Sequence, residues 1–217
     1  TTVRFPLPDV SDPPAIDAAP WTQTEEWTET AFQNRFVTVE ATNAVYEDPE
    51  FLDAVEELVP TGIDQTPRAM FTTGLAFDPP PPGDKTPERL LPIAAKYASR
   101  EFERSLAEDG LRNVRQADSQ DLRLRGRRTA SAFQYDADYP LDGAAVGRPD
   151  ATPTLAVRVW AAIWPTADSF EMAGGIYPLE DLEAAVERVD ATTDVTIEAR
   201  PGGDRRVVLD RIRDAAR

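Results

Sequence analysis

The sequence predicts an α+β fold: a mainly antiparallel sheet of five to seven strands, flanked by helices in a single-domain sandwich. The stretch from Asp84 to Gly110 has apolar residues at helical spacing and is the longest helix candidate in the chain. On both sides of it, the chain consists mostly of short runs typical of strands. Because these runs follow one another with few helices between them, we expect an antiparallel sheet and the α+β class.

Length and composition favour one domain. The chain has 217 residues, of which 41% are hydrophobic, and this is enough to form one well-buried core. No low-complexity linker divides the sequence, so we expect a single domain over residues 1–217. A proline-rich loop is predicted at residues 8–20, and a stiff connector with four consecutive prolines at residues 78–84.

The chain before the long helix is predicted to contain three strands and one short helix. Asp48 and Pro49 suit the N-cap and the first position of that short helix. Trp21 and Trp27 lie in an acidic, threonine-rich segment, where we expect them to anchor a loop to the core rather than to form a ligand platform. The predicted strands are Val3–Leu7, Arg35–Tyr46 and Arg68–Phe77.

The long helix has sequence signals at both ends. Thr86 is a good N-cap, Pro87 suits the first helical position, and Gly110 suits the left-handed residue that ends a helix. Pro92 lies too far inside for the first turn, so we expect either a kink there or a helix that begins near Leu91. The expected apolar stripe consists of Leu91, Ala94, Ala95, Ala98, Phe102 and Leu106.

Strands dominate the chain after this helix. Thr154–Trp164 is largely apolar on both faces, so we place it centrally, with both faces covered. The strand after it should run antiparallel to it because the link between them is short, and the Gly174–Gly175 pair suggests a bulge. The predicted strands are Asp121–Gly126, Thr129–Asp138, Thr154–Trp164, Ser169–Tyr177 and Thr193–Arg200.

Two further helices are predicted near the end of the chain. Leu179–Val189 has inward apolar residues at helical spacing. A last helix is expected from Asp204, as its N-cap, to Arg217, after a turn at residues 201–203. A short hairpin over Arg206–Leu209 is the alternative for this tail.

The chain is strongly acidic, with 39 acidic and 23 basic residues and a net charge of −16. Only two of the basic residues are lysines, Lys85 and Lys96. This composition resembles that of proteins from extreme halophiles, in which surface carboxylates hold water and cations and salt screens their repulsion. The resemblance implies surface cations and salt as partners, and stability that rises with salt. The same charge disfavours nucleic acid as a partner.

Several chemistries are missing from the sequence. There is no Cys and no His, which removes thiolate nucleophiles, thiolate metal sites and the commonest general base. Nucleotide-binding and nucleophile motifs are also absent, so the sequence favours a protein that is not an enzyme and binds no cofactor. No apolar stretch approaches the roughly 18 residues of a membrane span, and the amino terminus lacks a signal-peptide pattern. We therefore expect a cytoplasmic protein.

Two places combine residue types that bind ligands. Asp136 and Asp138 lie on one face of a strand end and suit a hard cation such as Mg²⁺ or Ca²⁺, with a solvated strand terminus as the alternative. At the second place, arginines would hold an anionic group between aromatic walls. The alternatives there are arginines paired with acids and a sheet face covered by a helix. The residues of this second site are Arg123, Arg125, Arg158, Trp160, Trp164 and Tyr135.

The order of elements over residues 68–189 resembles the Mog1/PsbP-like α/β/α sandwich. A long helix is followed by a strand that ends in Gly126-Arg127, an aromatic strand, two long antiparallel strands and a closing helix. The resemblance implies a non-catalytic scaffold that binds partners, often other proteins. We therefore expect a non-enzymatic binding or protein-interaction domain. Two alternatives remain open: a carboxylate- or metal-dependent hydrolase that uses Asp136 and Asp138, and a binder of a small anionic ligand through the arginine and tryptophan site.

Overall fold

The computed structural model describes residues 12–63, 65–80 and 86–216. The predicted strand Val3–Leu7 lies outside the described residues, as do the start of the proline-rich loop and most of the connector at residues 78–84. The described part of the proline-rich loop is irregular, and it buries Ile16 against one face of the sheet.

Seven antiparallel strands form one sheet in the order β1-β2-β3-β7-β6-β5-β4. Strands β1 to β3 form one meander, strands β4 to β7 form a second, and the pairing of β3 with β7 joins the two. The predicted α+β fold with a mainly antiparallel sheet is confirmed. The strands are β1 Thr22–Gln33, β2 Thr38–Glu47, β3 Ala69–Asp78, β4 Arg112–Arg123, β5 Thr129–Pro140, β6 Thr154–Pro165 and β7 Phe170–Pro178.

The helices cover the two faces of the sheet unequally. The helices are α1 Pro49–Val55, α2 Pro87–Glu108, α3 Leu182–Glu187 and α4 Pro201–Ala215. The long helix α2 lies over β4, β5 and β6 on one face, and α4 lies over β7 and β6 on the other. We call these faces the α2 face and the α4 face. Each face has its own apolar core, so the molecule has three layers.

Helix α2 begins at Pro87, after the N-cap Thr86, and continues through Pro92 to Glu108. The alternative start near Leu91 is therefore wrong. At the other end, the N–H of Gly110 donates to the carbonyl of Ala107 (3.2 Å), and the N–H of Leu111 donates to that of Leu106 (3.1 Å). Gly110 has φ +100, which completes a Schellman motif and confirms the predicted helix end.

Strand β6 is an interior strand with both faces buried, as its two apolar faces predict. The bulge expected at Gly174–Gly175 is not present, because the register with β3 and β6 is continuous through both residues. Glycine is required at both positions instead because neighbouring atoms lie too close to the backbone to leave room for a Cβ atom. A Cβ on Gly174 would overlap the ring of Phe71, and one on Gly175 would overlap the Met70 side chain and crowd Val208 of α4.

Strand β1 was not expected from the sequence, which predicts a loop anchored by Trp21 and Trp27. All twelve of its residues are exposed, so it shows no apolar alternation. Cross-strand hydrogen bonds to β2 hold it, such as those of Thr28 with Thr42 (3.2 Å) and of Thr30 with Glu40 (2.9 Å). Trp21 packs against the core of the α4 face, whereas Trp27 does not act as an anchor and is 42% exposed.

Other boundaries also differ from the prediction, and the helix predicted at Leu179–Val189 is the shorter α3, Leu182–Glu187. The strand predicted at Asp121–Gly126 is the end of β4, which begins at Arg112 and stops at Arg123, because a turn at Arg125–Arg127 with φ +69 at Gly126 leads into β5. The segment predicted as a strand at Thr193–Arg200 is irregular, because its backbone bonds to the start of α3: Leu182 N–H donates to the Ile197 carbonyl (3.1 Å). Helix α4 begins at Pro201, which excludes both the predicted turn at residues 201–203 and the hairpin alternative.

Of the helices in the described part of the chain, none is both long and apolar enough to cross a lipid bilayer.

Candidate functional site

A groove of about 390 Å³ opens on the α2 face, between the C-terminal half of α2 and strands β1, β2 and β3. It forms there because α2 lies over the β4–β6 half of the sheet and stops short of the other half. The loop residues Gly62 and Gln65 border it as well. This volume is in the range of protein sites that bind small ligands or single side chains of a partner.

The floor of the groove is apolar and well packed. Phe71 of β3 stacks on Phe102 of α2, with ring centroids 5.0 Å apart, and Phe102 contacts the ring of Tyr135 in turn (5.6 Å). Val159 and Ile176 are buried beneath this aromatic layer. Because this floor is already packed, a bound group could bury apolar surface against it without a rearrangement of the protein.

The rim of the groove is acidic. Glu25 and Glu29 of β1 lie on one side, and Glu108 and Asp109 at the end of α2 lie on the other. Of the described residues that line the groove, none is Lys or Arg. The C-terminal end of α2 also presents the negative end of the helix dipole to this side. The groove therefore has an acidic rim above an apolar floor, and Arg104, which does not line the groove, lies 3.9 Å from Glu108.

A chain of hydrogen bonds fixes Glu29. The amide nitrogen of Asn43 on β2 donates to Oε1 of Glu29 (3.0 Å), and Oγ1 of Thr73 on β3 donates to the amide oxygen of Asn43 (2.8 Å). Thr73 is buried, so the chain starts from a fixed point in the sheet. Because Asn43 occupies one oxygen of Glu29, the second oxygen can accept a hydrogen bond from a ligand.

Exposed aromatic side chains extend from the groove along β1. Trp27 lies between Glu25 and Glu29 on the strand and lines the groove. The irregularity between Thr30 and Phe32 shifts Phe32 onto the same face, where its ring lies 6.4 Å from that of Tyr97 on α2. We call Trp27, Phe32 and Tyr97 the aromatic ridge. It extends the exposed apolar surface beyond the cavity.

The predicted metal site consists of carboxylates that already have protein partners. Asp136 accepts a hydrogen bond from Nε of Arg158 (2.8 Å) and pairs with Arg115 (3.3 Å). Asp138 accepts one from the amide of Asn113 (2.7 Å). Among the residues that the structure describes, no three acidic side chains are grouped so that they could hold a metal ion. Cation binding by Asp136 and Asp138 remains a prediction.

The structure does not bring the six residues of the predicted anion site together. Arg123 is opposite Thr129 and Arg158 is opposite Asp136, and these two positions of β5 are roughly 23 Å apart along the strand at about 3.3 Å per residue. Arg125 is in the turn after β4 and pairs with Asp214 of α4 (3.0 Å). Arginines paired with acids are the alternative that the sequence left open for this group.

The aromatic residues of that predicted site are buried, on two different faces. Trp160 and Trp164 lie on the α4 face, where their indole N–H groups donate to Tyr177 (3.2 Å) and Glu171 (2.9 Å). Burial raises the pKa of Glu171, and it also raises that of Tyr177. Tyr135 lies on the α2 face instead. Ligand binding by these residues remains a prediction.

Tyr135 belongs to a buried polar cluster under α2. Its hydroxyl donates to the Ser99 carbonyl (2.9 Å) and lies 2.9 Å from the Ser99 hydroxyl, which donates to Gln116 of β4 (3.0 Å). Burial raises the pKa of Tyr135 to about 12. These bonds connect helix α2 to strands β4 and β5, and we assign them a structural role.

Sequence reasoning missed the acidic groove. The available signal was the alternation of Glu25, Trp27 and Glu29, which places all three side chains on one face of a strand. This alternation is difficult to recognise in the sequence because Glu26 and the neighbouring threonines make the opposite face of the strand polar as well. The contributions of Asn43 and Thr73 depend on strand register, which the sequence alone does not provide.

Comparison with known proteins defines the family of the chain. Neither the curated proteins nor the solved structures contain a significant match. The resemblance to the Mog1/PsbP-like sandwich therefore rests on the order of elements alone. A family model matches residues 8–198, which include the whole sheet and the groove, and the chain belongs to the family described as a domain of unknown function, DUF6517.

Proposed function

We propose that this domain is a non-enzymatic binding protein whose acidic groove holds a basic segment of a partner protein. The observation that carries the proposal is the combination of four rim carboxylates with an apolar floor and an exposed tryptophan. A lysine or arginine side chain matches both features, because its aliphatic stem covers apolar surface while its charged head meets carboxylates. Its cation also interacts favourably with the face of an indole ring.

The shape of the surface favours a polypeptide over a small molecule. The cavity is open to solvent and continues into the aromatic ridge of Trp27, Phe32 and Tyr97. An extended segment can place one side chain in the groove and others along the ridge. The net charge of −16 supports the same partner, since a negative field accelerates association with basic molecules and opposes acidic ones.

The test is a titration of the full chain with a short fluorescent peptide that contains two lysines and an apolar residue. Glu29→Gln keeps an oxygen that can accept the Asn43 hydrogen bond and removes only the charge. We expect it to weaken binding about two- to fivefold, and the double change Glu25→Gln/Glu29→Gln to weaken it about tenfold. The matched control is Asp121→Asn, which removes an exposed charge from β4 at the opposite edge of the sheet.

The control defines the outcome that would overturn the proposal. Asp121→Asn lowers the net negative charge by the same amount as Glu29→Gln, so a general charge effect would weaken binding equally in both. Equal losses, or equal binding of an acidic peptide of the same length, would show that the groove does not select a basic segment.

A further inference from the structure

We propose, on the basis of the function proposed above, that the basic segment binds as an eighth strand added to the free edge of β1. Strand β1 is the first strand in the sheet order, and in the described part of the chain it pairs with β2 alone. All of its twelve residues are exposed. At the edge of a sheet, alternate residues direct their N–H and C=O groups away from the neighbouring strand, where they can pair with another chain.

The middle of β1 is regular enough to template such a strand. Between its two irregularities, the register with β2 is unbroken from Glu25, opposite Val45, to Thr30, opposite Glu40. This uninterrupted stretch is as long as an average strand. The same stretch contains Glu25, Trp27 and Glu29, which line the groove. The edge and the groove therefore form one continuous surface.

Strand addition sets the side-chain pattern of the occupant. Residues directly opposite each other on neighbouring antiparallel strands have Cβ atoms about 5 Å apart and alternate between the two faces of the sheet. An added strand would place every second side chain on the α2 face, opposite Glu25, Trp27 and Glu29. The matching occupant has the order basic, apolar, basic at alternate positions, and its central side chain contacts the indole of Trp27.

The charges on β1 also exclude a second copy of the same strand. Proteins protect edge strands with charged side chains, and Glu25, Glu26 and Glu29 fit that role. Pairing of β1 with another β1 would place like charges near one another and is disfavoured. A basic strand meets opposite charges at the same positions. The glutamates therefore favour pairing with a basic strand and disfavour pairing between two copies of β1.

The other edge of the sheet is less suited to strand addition. Strand β4 has two register irregularities within its first seven residues, between Arg112 and Arg115 and between Gln116 and Asp118, and a regular stretch from Asp118 to Arg123 that combines two aspartates with an arginine. Arg115 pairs across the strands with Asp136. The edge of β4 carries mixed charges, so it offers no selection for a basic segment.

The experiment compares four versions of one peptide against the full chain. The first has a lysine, an apolar residue and a second lysine at alternate positions, with one other residue between each of them. The second has the same composition with the two lysines adjacent. The third and fourth carry backbone N-methyl groups on one or the other set of alternate residues, which removes the N–H groups that face β1 in one case and those that face solvent in the other. Affinity is measured for all four.

Strand addition predicts a clear ranking. The alternating peptide should bind about tenfold more tightly than its rearranged version, and one methylated peptide should lose about tenfold or more while the other keeps most of its affinity. If the rearranged peptide and both methylated peptides bind as well as the first, the strand-addition inference is overturned while the proposed function stands. If none of the four binds, the proposed function fails as well.

Discussion

At the scale of single residues, Glu29 has a fixed position because two other strands hold it. Asn43 bonds to its carboxylate, and Thr73 bonds to Asn43, so the charge keeps its place above the floor of the groove. A carboxylate held in this way loses less side-chain entropy when a cation binds it than a mobile glutamate would. Under the function proposed above, this arrangement lets an exposed charge contribute to the selection of a basic segment.

Tyr135 provides a prediction about pH at the same scale. Burial raises its pKa to about 12, so between about pH 10 and pH 12 the unfolded state loses the tyrosine proton while the folded state keeps it. Stability should therefore be retained below about pH 10 and fall as the pH rises through this window. Tyr135→Phe removes this contribution and should flatten the decline. At neutral pH the change should cost about 1–2 kcal/mol, because the hydrogen bonds with Ser99 are lost.

Urea unfolding at about pH 8 and about pH 11 measures both effects. The matched control is Tyr97→Phe, which removes the hydroxyl of a tyrosine that is 59% exposed and should leave the stability at pH 8 unchanged. An unchanged slope in Tyr135→Phe would contradict a buried, protonated Tyr135.

At the scale of elements, the end of helix α2 positions Glu108 and Asp109 on the rim of the groove. We predict that Gly110→Ala destabilises the protein by at least about 1 kcal/mol, because φ +100 is costly for a residue with a Cβ. The added Cβ would also lie 3.1 Å from the Ile63 side chain. Denaturant unfolding should show the loss as a lower midpoint with the same slope.

Gly202→Ala is the matched control for this change. Gly202 lies in the first turn of α4, and a Cβ there would meet no described atom within 4 Å. Alanine reduces the conformational freedom of the unfolded chain, so this variant should be unchanged or more stable by up to about 1 kcal/mol. A similar loss of stability in both variants would show that the Schellman geometry at Gly110 is not the cause.

The elements that could be predicted have signals within their own residues. Thr86, Pro87 and Gly110 mark the ends of α2, and the two apolar faces of Thr154–Trp164 mark an interior strand, because burial on both sides excludes polar residues there. The segment at Thr193–Arg200 carries a strand-like alternation as well. It buries Ile197 but bonds to α3 instead of a strand, and this choice depends on tertiary contacts that no local pattern encodes.

The candidate site was harder to predict than the fold. Strand β1 has exposed residues throughout, so hydrophobic alternation cannot reveal it, and its pairing with β2 is what defines it. Among the arginines and tryptophans that the sequence indicated as a site, several have partners inside the fold. Arg158 pairs with Asp136, and Trp160 lies under α4 with Arg205 over its ring. Patterns of residue types show which chemistry is available, and register decides which side chains meet.

At the scale of the whole molecule, the unequal cover of the sheet creates the groove. Helix α2 lies over β4, β5 and β6, while β1 carries Glu25 and Glu29 of the rim and an edge that pairs with no other strand in the described part of the chain. Both meanders contribute to the cores, and the groove lies where α2 leaves β1, β2 and β3 uncovered. The function proposed above uses this uncovered part of the sheet as the binding surface.

The net charge of −16 leads to a prediction about salt. Because salt screens the repulsion among 39 acidic residues opposed by 23 basic ones, the thermal midpoint should rise from dilute buffer to molar KCl. Circular dichroism melts in KCl and in NaCl of equal concentration measure the shift and show whether it depends on the cation. An unchanged or lower midpoint in both salts would contradict the resemblance to halophilic proteins.

Hydrogen exchange of the full chain, with and without a saturating basic peptide, tests the central claim most directly. If the acidic groove and the edge of β1 are the binding surface, the peptide should slow amide exchange in Thr22–Gln33 and at the end of α2 near Asp109, and leave Arg112–Arg123 unchanged. Protection on β4 or on the α4 face, or no protection of β1 with the peptide bound, would contradict the account.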